Sequence, residues 1–305
     1  MTRATPPWSL ALYITEKLCW PDFVVQRYTR SFHAHFENIV GRQRRYIINA
    51  RPSGKFREEA MRWSRIAVAV IAVLCLATGT FVDDGKSAYL RGDYKEALGD
   101  WQALASQNNA RAEFGLGLLY EHGYGVTQSY ETAAAWYQKA AEQGDFGAQD
   151  NLGLLYLLGR GVSQNDATAA MWFSKSADQG ISDAELNLGC LYLWGRGVNQ
   201  DDAQAVIWFR KAAQQGYARA QNNLGAMYEY GRGTAQDYAQ AIFLFRKAAA
   251  QGDAASENSI GYMLEVGLGI PRDMDEGVAW YRKAAEHGDP SAKLNLQRLF
   301  PVKRA

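Results

Sequence analysis

The stretch NLGLLYLLGRGV, residues 151–162, returns 36 residues later as NLGCLYLWGRGV, residues 187–198, with two of its twelve letters changed. The glycine at its third position recurs at the same interval without insertion or deletion, as Gly117, Gly153, Gly189, Gly225 and Gly261. A fixed period of this length is typical of folds in which each repeat stacks on the next. The sequence therefore predicts five 36-residue units between residues 110 and 289.

Each unit contains two apolar runs at helical spacing. In the second unit, Ala148, Leu152 and Leu155 fall on one face of a first helix, called helix A. The Gly-Arg-Gly motif at 159–161 is expected to end it, because glycine adopts the left-handed backbone that caps a helix without a steric clash. A second amphipathic run around Trp172 forms helix B. One such hairpin cannot bury its apolar faces alone, so the units are expected to stack into an all-α solenoid.

The pattern of the units is A-x-x-N-L-G-x-x-Y-x-x-G-x-G-V, followed by A-x-x-W-(F/Y)-x-K-A-A-x-x-G. It resembles the Sel-one-like repeat family, a relative of the tetratricopeptide repeat. Departures from it include Thr234, Leu244 and Leu264, and none of these three brings a charge into the predicted core. The resemblance implies a right-handed α/α solenoid of helical hairpins.

The segments that flank the units are expected to close the stack. Residues 83–109 lack the Gly-x-Gly loop and resemble a tetratricopeptide-like capping hairpin that turns at Gly92 and Asp93. Residues 290–305 begin a sixth helix A and then stop, which predicts a C-terminal capping helix and tail. Terminal repeats of solenoids are usually atypical in this way, because one of their faces has no neighbour to cover it.

The first part of the chain has a different composition. Residues 66–82 form a run of 17 residues without a charge, and residues 1–65 contain 12 lysines and arginines against five acidic residues. Basic residues on one side of an apolar segment favour keeping that side in the cytoplasm. The sequence thus predicts one transmembrane helix that anchors the chain in an inner membrane, with the repeats in the periplasm and residues 1–60 as a basic tail.

An alternative interpretation makes residues 61–82 a signal peptide. Translation would start at Met61, and the small residues Ala77, Thr78 and Gly79 would form the cleavage site. Residues 1–60 would then be an upstream extension. Both interpretations export the repeats.

No catalytic, phosphate-binding or metal-binding motif is found in the sequence, so neither an enzymatic activity nor a cofactor or metal is predicted. Lysines recur in helix B, at Lys139, Lys175, Lys211, Lys247 and Lys283. They are interpreted as a solvated face and not as a nucleic-acid interface, because residues 66–305 contain 21 basic and 27 acidic residues.

The predicted function is a non-catalytic scaffold in the cell envelope that binds a protein or a peptide, as solenoids commonly do and as the family resemblance implies. The alternative is a cell-wall-ligand-binding or β-lactamase-like envelope protein, suggested by cysteine-rich relatives that have a disulfide in each repeat. Cys190 is the only cysteine after residue 82, so this chain lacks that framework.

The predicted partner site lies on helix A, opposite the core stripe, where the concave face of a tetratricopeptide-like solenoid is expected. It combines an asparagine ladder with large residues at the ends of the helices: Asn151, Asn187, Asn223 and Asn295, and Leu158, Trp194 and Tyr230. Asparagine can both donate to and accept from a peptide backbone, and aromatic residues are common binding anchors. Alternatively, the asparagines bond to the backbone of the neighbouring repeat and the aromatic side chains fill gaps between repeats.

Overall fold

A computed structural model describes residues 85–301, which contain thirteen helices and no strand. The helices are α1 (Lys86–Arg91), α2 (Tyr94–Ala105), α3 (Ala110–His122), α4 (Tyr130–Glu142), α5 (Phe146–Leu158), α6 (Asp166–Ala177), α7 (Ser182–Trp194), α8 (Asp202–Gln214), α9 (Ala218–Tyr230), α10 (Tyr238–Ala249), α11 (Ala254–Val266), α12 (Met274–Glu286) and α13 (Pro290–Leu299). None of them combines the length and the apolar character that a membrane span requires. The apolar segment at 66–82 lies outside the described residues.

Helices α3 to α12 form five hairpins that stack along the chain. Helix A of the successive units is α3, α5, α7, α9 and α11, and helix B is α4, α6, α8, α10 and α12. From the second unit on, helix A packs both against helix B of its own unit and against helix B of the preceding unit. The prediction of an all-helical solenoid of helical hairpins is confirmed.

The glycine period is explained by a buried ring in each hairpin. One aromatic side chain of each helix B is fully buried: Tyr137, Phe173, Phe209, Phe245 and Tyr281. Each ring lies on the glycine of helix A in the same unit, so that a Cβ atom added at Gly189, for example, would be 2.6 Å from the Phe209 ring. Separations under 3.0 Å are essentially never seen for real Cβ atoms. Glycine is therefore required for the close approach of the two helices in the hairpin.

The ends of helix A are capped as the Gly-x-Gly motif predicts. The residue after each helix A is a glycine in the left-handed region, with φ 64° at Gly159 and φ 63° at Gly195. A loop glutamine adds a second cap in some units, since Gln128 and Gln236 donate from Nε2 to the carbonyl groups of Glu121 and Glu229 at 2.7 and 2.8 Å. These bonds satisfy carbonyl groups that a helix end would otherwise leave without a partner.

The second glycine of the motif makes a contact between units. A Cβ atom at Gly197 would overlap the backbone of Asp166 and Ala167, which begin helix B of the preceding unit. Beside it, Arg196 donates from Nε and Nη2 to the two carboxylate oxygens of Asp166 at 2.9 Å each. The loop of each unit is thus fitted onto the N-terminus of the preceding helix B.

The side chains at this loop contact change along the stack. Tyr124 stacks on Tyr94 with ring centroids 4.5 Å apart, and the Arg160 guanidinium lies 5.5 Å from the centre of the Tyr130 ring. Arg232 forms an ion pair with Asp202, with Nη2 and Oδ1 2.8 Å apart. Tyr238 and Leu268 pack in one apolar cluster. The contact is therefore aromatic or apolar at the ends of the stack and ionic in the middle.

We expect the ion pair between Arg196 and Asp166 to stabilise the stack by about 1 kcal/mol, because it is bidentate and only about one-third exposed on each side. A double-mutant cycle of Arg196→Ala and Asp166→Ala, measured by urea unfolding, should give this coupling. The matched cycle of Arg196→Ala and Asp202→Ala should be additive, because Asp202 is paired with Arg232. Additivity in the first cycle would contradict the assignment.

Both ends of the described stack are closed by helices outside the five units. At the N-terminal end, α1 and α2 are joined at Gly92 and Asp93, and Trp101 of α2 is buried against Gly115. At the C-terminal end, α13 is held by Arg298, which donates from Nη2 to the Glu265 carboxylate at 2.6 Å. These helices cover the faces that the first and last units would otherwise expose.

Candidate functional site

The asparagine ladder lies mostly inside the protein. The side chains of Asn151 and Asn223 are 2% and 4% exposed. Asn187 is partly buried and donates from Nδ2 to Asp150 Oδ1 at 3.4 Å, and Asn295 donates to Asn258 Oδ1 at 3.0 Å. The first bond joins the third unit to the second, and the other joins α13 to the fifth unit. The ladder therefore contributes to the contact between units, through side chains.

The ladder is covered because of the position of helix A. Helix A lies between two helices B, so the stripe opposite its own hairpin core is also enclosed, as the 1% exposure of Cys190 shows. The sequence contains a signal for this burial, since residues 151–158, NLGLLYLL, are apolar on almost every side. A helix that is apolar all round is usually buried all round. The expectation of an open second stripe did not use this signal.

The C-terminal ends of the helices A present a more accessible surface. We call it the terminal row, and it consists of the last residue of each helix A: His122, Leu158, Trp194, Tyr230 and Val266. The exposed fractions of Leu158, Tyr230 and Val266 are 38%, 39% and 47%. Trp194 is partly buried, and its Nε1 atom is enclosed and has no hydrogen-bond partner within residues 85–301. The structure thus separates the predicted site into an accessible row and a mostly buried ladder.

Buried carboxyl groups lie next to both parts of the site. Burial raises the pKa of Glu229 to about 7, although a hydrogen bond with Tyr230 opposes the shift. Burial is the main cause that raises the pKa of Tyr230, and the negative charge of the neighbouring Glu229 adds to the shift. In the ladder, burial and the charge of Asp183 raise the pKa of Asp150 to about 8. Two carboxyl groups of the helix A layer, Glu229 and Asp150, therefore have pKa values raised towards neutral pH.

The other sequence-derived ladders also have defined contacts. The lysines of helix B are exposed, and their amines lie over aromatic rings, with Lys211 Nζ 3.8 Å from the centre of the Trp208 ring. Lys283 additionally forms an ion pair with the buried Glu257, with Nζ and Oε1 3.0 Å apart. In the part of the chain that the structure describes, no group of three or more His, Cys, Asp or Glu residues is arranged to hold a metal ion.

Comparisons with known proteins agree with this architecture. The profile described as "Sel1 repeat" matches five consecutive segments: residues 110–145, 147–181, 182–217, 218–253 and 254–289. In a comparison with curated proteins, none matches the chain.

Two solved structures are similar in both sequence and shape. A Sel1 repeat protein from Oxalobacter formigenes is 32% identical with a TM-score of 0.66, over 72% of this chain and 92% of that protein. A protective antigen of uropathogenic Escherichia coli strains, which displays an SLR fold, is 33% identical with a TM-score of 0.65. That alignment covers 71% of this chain but about half, 48%, of the antigen. Because five consecutive profile matches coincide with the five hairpins, the chain belongs to the Sel1 repeat family.

Proposed function

We propose that the chain is a non-catalytic scaffold that holds a segment of a partner protein along the terminal row. Proteins built from Sel1 repeats generally mediate contacts between proteins. The observation that supports this surface is the exposure of large side chains at equivalent positions of the second, fourth and fifth units, Leu158, Tyr230 and Val266. Rigid helices hold them in a fixed order, which reduces the entropy lost when a partner binds.

The residues of the proposed site have different roles. Tyr230 supplies apolar area and a hydroxyl group, and Leu158 supplies apolar area alone. Trp194 forms the partly buried middle of the row. The partly buried Asn187 holds the third unit to the second, and Asn295 holds α13 to the fifth unit, so that the row keeps its spacing.

The partner can be found with the full-length chain by crosslinking, affinity capture and mass spectrometry. With the captured partner in hand, we expect Tyr230→Ala to weaken its binding by about 1–3 kcal/mol, as the loss of an aromatic anchor does. Phe146→Ala is the matched control, because Phe146 is 41% exposed at the opposite end of a helix A. Equal affinities of the two variants, with both folded by circular dichroism, would remove the terminal row from the site.

We further propose that the scaffold acts in the cell envelope, either anchored in the inner membrane through residues 66–82 or exported after cleavage. The support is the basic composition of residues 1–65 followed by the apolar run. A reporter that is active only outside the cytoplasm, fused after Ala305, should be active. Activity of a cytoplasm-dependent reporter alone would overturn this proposal.

The non-catalytic role is tested separately from the location. We expect the purified chain not to hydrolyse a chromogenic β-lactam. Hydrolysis that a single substitution abolishes would favour the β-lactamase-like alternative, for which the support is limited to the cysteine-rich relatives.

A further inference from the structure

A second exposed apolar surface lies on helix B of the three central units. We call it the helix B row, and it consists of Met171, Ile207 and Phe243, at equivalent positions of α6, α8 and α10. These side chains are 44%, 41% and 52% exposed. Large apolar side chains recur here at one position of three successive units and form a regular strip along the stack, and clustered exposed apolar surface often marks an interaction site.

The positions one helical turn away define the two borders of this strip. The residues one turn earlier are small and exposed: Ala167, Ala203 and Ala239. The residues one turn later are lysines whose amines lie 4.2, 3.8 and 4.5 Å from the centres of aromatic rings: Lys175, Lys211 and Lys247. Within residues 85–301, none of these three amines is within ion-pair distance of a carboxylate, in contrast to Lys283. The helix B row is thus bordered by short side chains on one side and by positive charges on the other.

The first and last units show that the fold does not need this row. Their equivalent residues are Ala135 and Ala279, in hairpins of the same architecture. One turn earlier these two units have carboxylates, Glu131 and Asp275, where the central units have alanine. The large apolar side chains are therefore confined to three units, and in the unit on either side a carboxylate lies one turn before the equivalent alanine.

We propose that the helix B row docks an acidic amphipathic segment of a partner protein. The apolar side of the segment packs on Met171, Ile207 and Phe243, and its carboxylates face the lysines. Helices and strands that bind along a row of anchors in this way are a common mode of peptide recognition. This surface is on helix B, and its assignment does not depend on the terminal row of helix A.

Charge argues for this occupant and against three others. Residues 1–65 are basic, with 12 lysines and arginines against five acidic residues, so the chain's own N-terminal part would be repelled by the lysines. A second copy whose lysine border faced this one would place two sets of lysines against each other. A flat anionic lipid surface would extend beyond the row and meet the exposed carboxylates of Glu131 and Asp275, which a segment docked on the three central units need not contact.

The test uses the full-length chain and a fluorescent synthetic 18-residue helical peptide with leucine on one face and glutamate on the other. We expect the peptide to bind, and the triple variant Met171→Ala/Ile207→Ala/Phe243→Ala to weaken binding at least tenfold. Alanine is the natural residue at the equivalent positions of the end units, so the variant should fold, and its circular dichroism and melting temperature verify this. Leu294→Ala, at a residue that is 56% exposed on α13, is the matched control and should bind as the unchanged chain does.

The role of charge is tested with Lys211→Glu and with a second peptide in which lysine replaces glutamate. We expect Lys211→Glu to weaken binding of the acidic peptide and the lysine peptide not to bind. Equal binding of both peptides, or unchanged binding by the triple variant, would overturn the proposal. It would also be overturned if the row bound phosphatidylglycerol vesicles but not the peptide, or if it formed a dimer that the triple variant dissociates.

Discussion

Replacing Gly197 with alanine is expected to destabilise the protein by at least about 3 kcal/mol, or to prevent folding. Two costs add at this position. Gly197 has a φ of +68°, where an alanine is strained, and its Cβ would overlap the backbone of Asp166 and Ala167 in the preceding unit. The neighbouring backbone cannot easily move away, because it begins a helix and the Arg196 ion pair holds the loop against it.

The matched control is Gly180→Ala. Gly180 has a similar φ of +81°, but no atom lies within 4 Å of the position that a Cβ would occupy. This variant should therefore show the backbone strain alone, about 1 kcal/mol. Urea unfolding followed by circular dichroism measures both variants. Equal losses would mean that the Gly-x-Gly loop caps helix A without holding the units together.

A second large effect is expected at Glu229, because this buried acid of helix A faces an apolar residue of helix B, Phe245, in its own unit. In the first and last units a buried tyrosine of helix B donates to a glutamate of helix A, as Tyr281 does to Glu265 at 2.8 Å. In the second and third units the equivalent pairs are apolar: Leu157 with Phe173, and Leu193 with Phe209. The fourth unit has Glu229 with Phe245, so its buried carboxyl group lacks the hydroxyl of a helix B tyrosine and has a hydrogen bond with Tyr230 instead.

The mismatch predicts a stability that depends on pH. Burial raises the pKa of Glu229 to about 7, above the ordinary value of 4.5, so the folded state favours the neutral acid. The contribution of the neutral Glu229 to the stability of the fold is fully present below pH 4.5 and is lost as the pH rises through about 7. We expect Glu229→Leu, which reproduces the apolar pairs, to be more stable than the unchanged chain by about 3 kcal/mol at pH 8.5 and by much less at pH 5.

Phe245→Tyr is the second arm of this test, because it gives Glu229 the partner that Glu121 and Glu265 have. It should also stabilise the protein at pH 8.5, by lowering the pKa of Glu229. Other buried acids such as Asp150 give the unchanged chain its own pH dependence, so the informative quantity is the difference between each variant and the unchanged chain. A difference for Glu229→Leu that does not vary with pH would show that Glu229 keeps an ordinary pKa in the fold.

The contrast with Glu265 shows how local partners decide the sign. Burial alone would raise the pKa of Glu265, but hydrogen bonds from Arg298 and Tyr281 lower it below its ordinary value. Its contribution to stability is therefore present above the ordinary pKa and is lost as the pH falls through the lowered value. Two glutamates at the same position of adjacent units thus respond to pH in opposite directions.

The sequence predicted the fold well because its signals are local. The spacing of Gly153 within its period predicted a repeat, and Gly159 predicted the end of helix A, since both depend on backbone geometry within one unit. The second glycine, Gly161, was interpreted only as part of the cap. Its contact with Tyr130 lies in another unit, and nothing in a single loop indicates it.

The candidate sites were less predictable, because they depend on which faces remain exposed after stacking. Asn151 belongs to the repeat pattern, but its burial follows from two helices B that approach helix A from both sides. The helix B row was missed for the opposite reason. Met171 and Ile207 occupy a position whose residue varies between units, so the repeat pattern does not indicate it.

The changing side chains at the loop contact bear on how such an array can grow by duplication. A tandem copy of the third unit, residues 182–217, would set the Arg196 of the copy against the Asp202 of the original, so that each arginine still meets an aspartate. A copy of the last unit placed after the third would instead set Leu268 on Asp202 and leave that carboxylate without its arginine. The chemistry at these junctions therefore permits the array to lengthen from its middle, while it confines the last unit to its end.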